Sequence, residues 1–511
     1  MTIAPYVFIA VAFPLVLSLI VSVVLHRGKS TFDHFVLGGR NIPRSHYVAT
    51  LTASNAALAN ILFLYVYWGY RYGIWAWLWG SIFWGLGFWI FSKVAKLPRF
   101  GILSSSERPE SGLNEIMGSE YRSRLITVAC AIASGLAFLF LLTLELNVGA
   151  KIFSGLAPNA TSMTPYMFAL VIGTVLAAYA AYGGMKAVFQ TDAIQLILII
   201  AAAISLLALV HRLSPDLTVP GLIAKSAKTT PVFSLSWSYI PFILGSAFSW
   251  GFWFLCTMDM WQRTIATKVE RPVIGMKAIL PSFILLLFVT LSGVLVGVYL
   301  KETINSPYPP KYPLVDFLHS AFTAVNGNTV SLILLCIVIS GFTAAMLSTV
   351  DTYIILVSQS LTTDLPSLRH GLPHERIQSD EAADTKLRRR VQNFTAVIPF
   401  LSVGVFFVLN QLAEQDTFTL YMIAGSLPLS ILPVVLGALG IKDIEKRKRL
   451  SRSAAIAIIV SILVSITTNL ILATYALKSY SQIAFGLLYF TPLLAAGIAA
   501  VPFVSLLRRH P

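Results

Sequence analysis

Apolar stretches long enough to cross a membrane recur from Pro5 to Leu506, and they constrain this chain more than any single residue. Thirteen can be drawn, at 4–25, 46–69, 73–97, 123–150, 163–182, 186–211, 237–261, 273–300, 328–361, 391–411, 417–440, 453–475 and 483–506. A hydrocarbon core needs about 20 apolar residues per helix and offers the backbone no water. Helices that satisfy their own N–H and C=O groups are the solution such stretches allow. Charged residues make up 12% of the 511 positions, against about 25% in a soluble domain. The expected fold is therefore an all-α polytopic membrane protein of about 13 transmembrane helices, with almost no soluble mass and no room for a separate catalytic domain. Arg27 and Lys29 follow the first stretch and no basic residue precedes it. A cleaved signal peptide has the reverse order, so this stretch reads as a permanent helix.

The net charge of +15 would suit a nucleic-acid partner, but its placement argues for a bilayer instead. Of the 37 basic residues, 29 fall in alternate loops that become cytoplasmic if the N-terminus is outside, and 8 fall in the others. That asymmetry predicts a multi-pass protein of the plasma (cell inner) membrane with its C-terminus in the cytoplasm, and no nucleic-acid binding. Cys130, Cys256 and Cys336 all lie inside apolar stretches without metal-ligand spacing, which marks them as packing residues. In the loop 301–327, Tyr308-Pro309-Pro310 precedes an amphipathic piece, Leu314 to Val325, expected to be a short helix on the membrane surface.

Polar residues inside apolar helices are costly and point to function. Tyr179 to Gln195 reads Y-A-A-Y-G-G-M-K-A-V-F-Q-T-D-A-I-Q, a tight turn at Gly183-Gly184 with Asp192 at the mouth of the next helix. Asp192 there suits a cap on free N–H groups. The second stretch contains TLTASNAALAN, with Asn55 and Asn60, and the seventh contains GSAFSWGFWF. Gly- and Ser-interrupted helices in corresponding positions of two halves are the sequence sign of a site built on broken helices. Ser348 and Thr349 are adjacent hydroxyls in the ninth stretch; side by side they do not share one helix face, so an irregular helix is expected there. Asp351 follows as a cation ligand, a proton carrier or a partner for Lys186. Glu145 either faces the site or neutralises Lys151 near the outer surface, and Asp259 is expected to pair with Arg263. Phe63, Tyr65, Tyr67, Trp68, Tyr70, Trp75, Trp77, Trp79 and Trp84 cluster at the outer ends of two stretches, which suggests an interfacial belt. No quaternary ammonium substrate is inferred from them.

Three segments carry a family likeness: FDHFVLGGRNIP at 32–43, the Tyr179–Gln195 turn, and WQRTIATK at 261–268. Together they resemble the sodium:solute symporter family. The resemblance implies a leucine-transporter-like fold of two inverted five-helix repeats plus one N-terminal and two C-terminal helices. The corresponding division is an N-terminal helix and loop at 1–45, a first repeat at 46–211, an extracellular loop at 212–236, a second repeat at 237–440 with a cytoplasmic linker at 363–390, and C-terminal helices at 441–511. It implies a sodium site made by the carbonyls of Ala53, Ala56 and Ala345 with the hydroxyls of Ser348 and Thr349. Asp351 and Asp192 form a possible second cation or proton site, and Asn55, Asn60, Trp250 and Phe254 face substrate. The implied function is sodium-coupled symport of a small polar organic solute by alternating access, with sodium as coupling ion and no cofactor. The alternatives are a proton-coupled symporter using Asp351 and a non-transporting solute sensor. No nucleophile or His/Asp/Glu constellation suggests an enzyme.

Overall fold

The apolar stretches are helices. The structure is a computed structural model that describes residues 4–25, 31–97, 110–156, 163–216, 218–232, 239–267, 276–304, 313–324, 328–370, 381–412, 417–479 and 486–509. In chain order they form α1 (Ala4–Leu25), α2 (Phe32–Leu37), α3 (Arg44–Asn55), a π-helical segment Leu58–Phe63, α4 (Leu64–Tyr72), α5 (Trp75–Val94), α6 (Leu113–Glu120), α7 (Arg124–Gly155) and α8 (Thr164–Leu213). The second half brings α9 (Val219–Thr229), α10 (Tyr239–Cys256), α11 (Met258–Ile265), α12 (Met276–Ile304), α13 (Pro313–Ala324) and α14 (Thr329–Gln359). The helices Glu381–Leu412, Thr417–Leu429, Leu432–Gly440, Ile444–Ser479 and Thr491–Arg509 complete it. Ten helical spans among the described residues are long and apolar enough to cross a membrane.

The 50 residues of α8 contain two of the expected stretches, joined at Gly184, whose φ of 58° and ψ of −163° are not helical. Only glycine adopts that conformation readily, and a Cβ there would stand 2.7 Å from the Phe35 carbonyl oxygen. The chain reverses at this point. Sixteen residues of continuous helix rise about 24 Å, yet Tyr179 and Gln195 bind Ser22 and Ser18, one turn apart on α1.

The second stretch is interrupted between α3 and the π-helical segment, at Ala56 and Ala57, beside the polar run that suggested a break. The seventh is interrupted later than its sequence implied. GSAFSWGFWF is unbroken helix, and the break falls at Thr257, whose backbone is extended. The glycine in this segment serves close packing instead: a Cβ on Gly245 would meet the Tyr489 carbonyl oxygen at 2.1 Å.

The amphipathic piece is α13, but its apolar face (Leu314, Phe317, Leu318, Ala321) is buried in the protein rather than presented to a membrane surface. The Tyr308-Pro309-Pro310 segment and residues 371–380 of the linker lie outside the described residues. After α14 a π-helical segment Ser360–Asp364 and a short helix Ser367–His370 follow, and a long helix begins at Glu381, so helix runs into the expected loop from both sides. The three segments of family likeness converge. Ile42 N–H donates to the Ala266 carbonyl (3.1 Å), Gln262 Nε2 donates to the Val36 carbonyl (3.0 Å), and Gly184 sits against Phe35.

Candidate functional site

α3 ends at Asn55 because the chain turns away at Ala56, whose N–H folds back on the Thr52 and Ala53 carbonyls. α14 passes this break with its hydroxyls facing it. Ser348 Oγ lies 2.9 Å from the Ala53 carbonyl oxygen and 3.1 Å from that of Ala345. Thr349 Oγ1 lies 3.2 Å from the Ser54 carbonyl oxygen and 3.0 Å from that of Ala345. Both hydroxyls reach the same carbonyl one turn back within α14, so the irregular helix expected from their adjacency is not needed. Ala53, Ala345, Ser348 and Thr349 are all fully buried, and Ala56 stands in the break beside them. The Ser54 carbonyl is a member that sequence reasoning missed, although Ser54 belongs to the same polar run. These oxygens come from two helices and include no carboxylate. A neutral all-oxygen set suits a hard monovalent cation better than a divalent one, which needs charged ligands.

Toward the Gly184 turn lies a buried polar network centred on Arg263, which is fully buried. Its guanidinium donates to Asp259 Oδ2 (2.9 Å), Thr50 Oγ1 (3.2 Å) and Thr352 Oγ1 (2.9 Å), tying α11 to α3 and α14. Thr50 in turn donates to Asp192, and Tyr179 donates to Asp351 at 2.5 Å. The Tyr179–Gln195 segment thus reaches three helices: Tyr179 bonds α14, Asp192 bonds α3 and Gln195 bonds α1. Asp192 does not cap a helix end. Asp351 takes its hydrogen bonds from Tyr179 and Thr352, while Lys186 is exposed. The Asp259–Arg263 pair is present as expected.

Beside the break of α3 opens a cleft of about 460 Å³. Asn55 and Trp250 line it, and Ser54, Asp259, Phe138 and Tyr353 join them. Trp84, Trp253 and Tyr421 add three more aromatic faces. Phe254 does not line it; it stacks on Phe88 with centroids 4.1 Å apart, behind Trp84. The side chain of Asn60 lies outside the described residues. Trp250 Nε1 donates to Tyr421 Oη (3.2 Å), and these two residues also line a second cavity of about 350 Å³, next to Trp68 and Tyr489. The aromatic cluster is therefore only partly a belt. Tyr65, Trp68 and Trp84 are buried and pack around Trp250, with centroids 6.1, 4.8 and 5.9 Å from it. Sequence gave no sign of Tyr421, which comes from a helix more than 150 residues away along the chain.

Glu145 on α7 is fully buried, and its carboxylate accepts the Ala59 N–H at 3.1 and 3.0 Å. It sits at the start of the segment that resumes span two after the break, not at the surface beside Lys151. A carboxylate is favoured where free N–H groups begin a helical segment. On the short helix α6, Glu115 accepts from Ser111 N and Oγ at 2.6 and 2.8 Å. Burial, then the neighbouring Asp364 carboxylate, pushes its carboxyl up to about 8.

Two interrupted spans, an oxygen nest at one break and a cleft beside both define a class: the secondary transporters built on broken helices. The chain belongs to the sodium:solute symporter family, whose model matches residues 35–439. It is a sodium-coupled solute symporter embedded in a membrane by many spans. Among solved structures it is similar to a Na+-coupled sialic acid symporter in a substrate-bound outward-open state, at 15% identity and a TM-score of 0.70, with 97% of this chain and 96% of that one covered. It is also similar to MhsT in complex with L-phenylalanine, at 15% identity and a TM-score of 0.56, covering 91% and 99%. A nucleobase-cation-symport-1 transporter closed around bromovinylhydantoin matches at 10% identity and a TM-score of 0.52, covering 93% and 95%. These likenesses establish the leucine-transporter-like fold. No curated protein matches the sequence.

Proposed function

We propose that the coupling sodium ion is held by the carbonyls of Ala53, Ala56 and Ala345 and the hydroxyls of Ser348 and Thr349, and that the solute occupies the cleft beside Asn55 and Trp250. Uptake runs into the cell by alternating access, with the N-terminus outside and the C-terminus in the cytoplasm. The observation that carries this reading is the meeting of Ser348 Oγ with the Ala53 carbonyl at 2.9 Å across two spans. An ion there bonds the end of α3 to α14, and Ser54 and Asn55, the next residues, line the cleft. Ion occupancy and cleft shape are thereby linked, and the linkage is reciprocal: each ligand raises the affinity for the other. The Arg263 network is the inner gate, since it clamps α3, α11 and α14 together on the side of the basic loops. The same division into two inverted repeats, 46–211 and 237–440, is part of this reading.

Uptake of solute into proteoliposomes, driven by a sodium gradient and measured again with potassium in its place, tests the coupling. Uptake that is unchanged in potassium contradicts it. A second reading is favoured by one observation. Asp351 is fully buried and hydrogen-bonded to Tyr179, and Asp192, also fully buried, belongs to the same segment as Tyr179. Such a pair carries a proton or a second cation. Uptake driven by a pH gradient without sodium, and abolished in Asp351→Asn, identifies the proton.

A further inference from the structure

The substrate class can be narrowed from the charges at the two breaks, an inference that rests on the symport reading above. In transporters of this architecture the N-termini of the broken helices receive anionic groups of the substrate. Here the protein's own carboxylates hold both positions. Glu145 accepts the Ala59 N–H where span two resumes. Asp259 stands in the first turn of α11, where span seven resumes. A substrate carboxylate at either place would meet a like charge in a buried setting.

Three further observations point to the opposite sign. Asp259 lines the cleft and is 7% exposed; its Oδ2 is held by Arg263, but its Oδ1 is buried with no hydrogen-bond partner. Arg263 is shared besides, for it also donates to Thr50 Oγ1 and Thr352 Oγ1. Finally, the lining includes the rings of Trp84, Trp250, Trp253 and Tyr421. Aromatic faces attract a desolvated cation and do nothing for an anion. One polar requirement is left over: Trp84 Nε1 is buried and unpartnered, so an acceptor is wanted near it.

We propose that the transported solute is a small organic cation, an ammonium bearing an uncharged oxygen such as a hydroxyl, and that carboxylate-bearing analogues are rejected. The ammonium lies among the aromatic faces beside Asp259, and the oxygen accepts from Trp84.

The test is thermal stabilisation of the full-length protein in detergent, with sodium and with potassium. The ligands are choline, ethanolamine, the neutral isostere 3,3-dimethylbutan-1-ol, the carboxylate analogue glycine betaine, and proline. Choline or ethanolamine is expected to stabilise at concentrations at least tenfold lower than the alcohol, betaine or proline. Glu145→Gln is expected to narrow the choline-to-betaine ratio. Trp84→Phe is expected to narrow the preference for choline over tetramethylammonium. Both are ratios within one variant and do not depend on how well it folds. Betaine, proline or the neutral alcohol binding as well as choline overturns the proposal, as does the absence of stabilisation by either amine. Neither result touches the symport reading. That reading fails separately, if sodium alone changes neither the unfolding temperature nor the binding of any ligand.

Discussion

Replacing Glu145 with glutamine isolates what one buried carboxylate does for the break in span two. The side chain keeps its shape and one acceptor oxygen for the Ala59 N–H but loses its charge. Hydrogen bonds to charged groups are worth about 1.5–3 kcal/mol and neutral ones about 1 kcal/mol. The change therefore costs on the order of 1 kcal/mol of preference for the interrupted geometry. That geometry aims the Ala53 and Ala56 carbonyls, so the loss falls on the ion. About 1 kcal/mol is close to a fivefold rise in the sodium concentration for half-saturation. The assay is initial-rate uptake, or ligand-induced stabilisation, as a function of sodium at fixed solute. Glu145→Ala, which leaves the N–H without a partner, is expected to weaken sodium further and to lower the unfolding temperature. A Glu145→Gln protein with sodium half-saturation within twofold of wild type refutes the reasoning. So does Lys151→Ala with the same phenotype, because that restores the surface-pair reading.

Other outcomes follow from the same geometry. Arg263→Ala strands Asp259 in a buried site and is expected to cost about 3–5 kcal/mol, seen as a large drop in unfolding temperature; Arg263→Lys rescues it only in part, because an ammonium does not span three partners. Gly184→Ala is expected to lose about 1–3 kcal/mol, because positive φ strain adds to a contact of 2.7 Å with the Phe35 carbonyl oxygen. Gly251→Ala, helical with its nearest neighbour at 3.7 Å, is the neutral control. For Glu115 the folded pKa is raised to about 8 from 4.5, so the folded state holds a proton the unfolded chain releases. That contribution is complete below pH 4.5 and is lost as pH rises to 8. Unfolding temperature measured across this window is expected to fall less steeply in Glu115→Gln than in wild type.

The helices and the reversal at Gly183-Gly184 were readable because each has a local cause: apolar length and a backbone that only glycine tolerates need no knowledge of the partner helix. The hydroxyl pair at Ser348 and Thr349 stood out through the family likeness, since hydroxyls in membrane helices also serve ordinary packing. What was not readable involves a second helix. Glu145 has Lys151 nearby in sequence, but its carboxylate accepts the N–H of Ala59, 86 residues away. In a bilayer, lipid-facing and buried surfaces are both apolar, so no amphipathic stripe distinguishes Trp84, inside the cleft, from a residue of the interfacial belt. The break at Thr257 was missed for a related reason. Gly245 signals close approach to Tyr489, and a glycine inside a tightly packed membrane helix looks the same as one at a break.

The proposed sodium nest is best examined through Ser348→Ala and Thr349→Ala combined, with sodium binding followed by the stabilisation it confers on the solute-free protein. Each change removes one hydroxyl oxygen from the proposed set, and Thr349→Ala removes a methyl group as well, so the fold should persist with a loss of about 1 kcal/mol per hydroxyl and about 1 kcal/mol more for the methyl. Wild type is predicted to show saturable stabilisation by sodium and not by potassium. The double variant is predicted to need at least tenfold more sodium, or to show no response. A folded double variant that responds to sodium as wild type does would place the ion elsewhere.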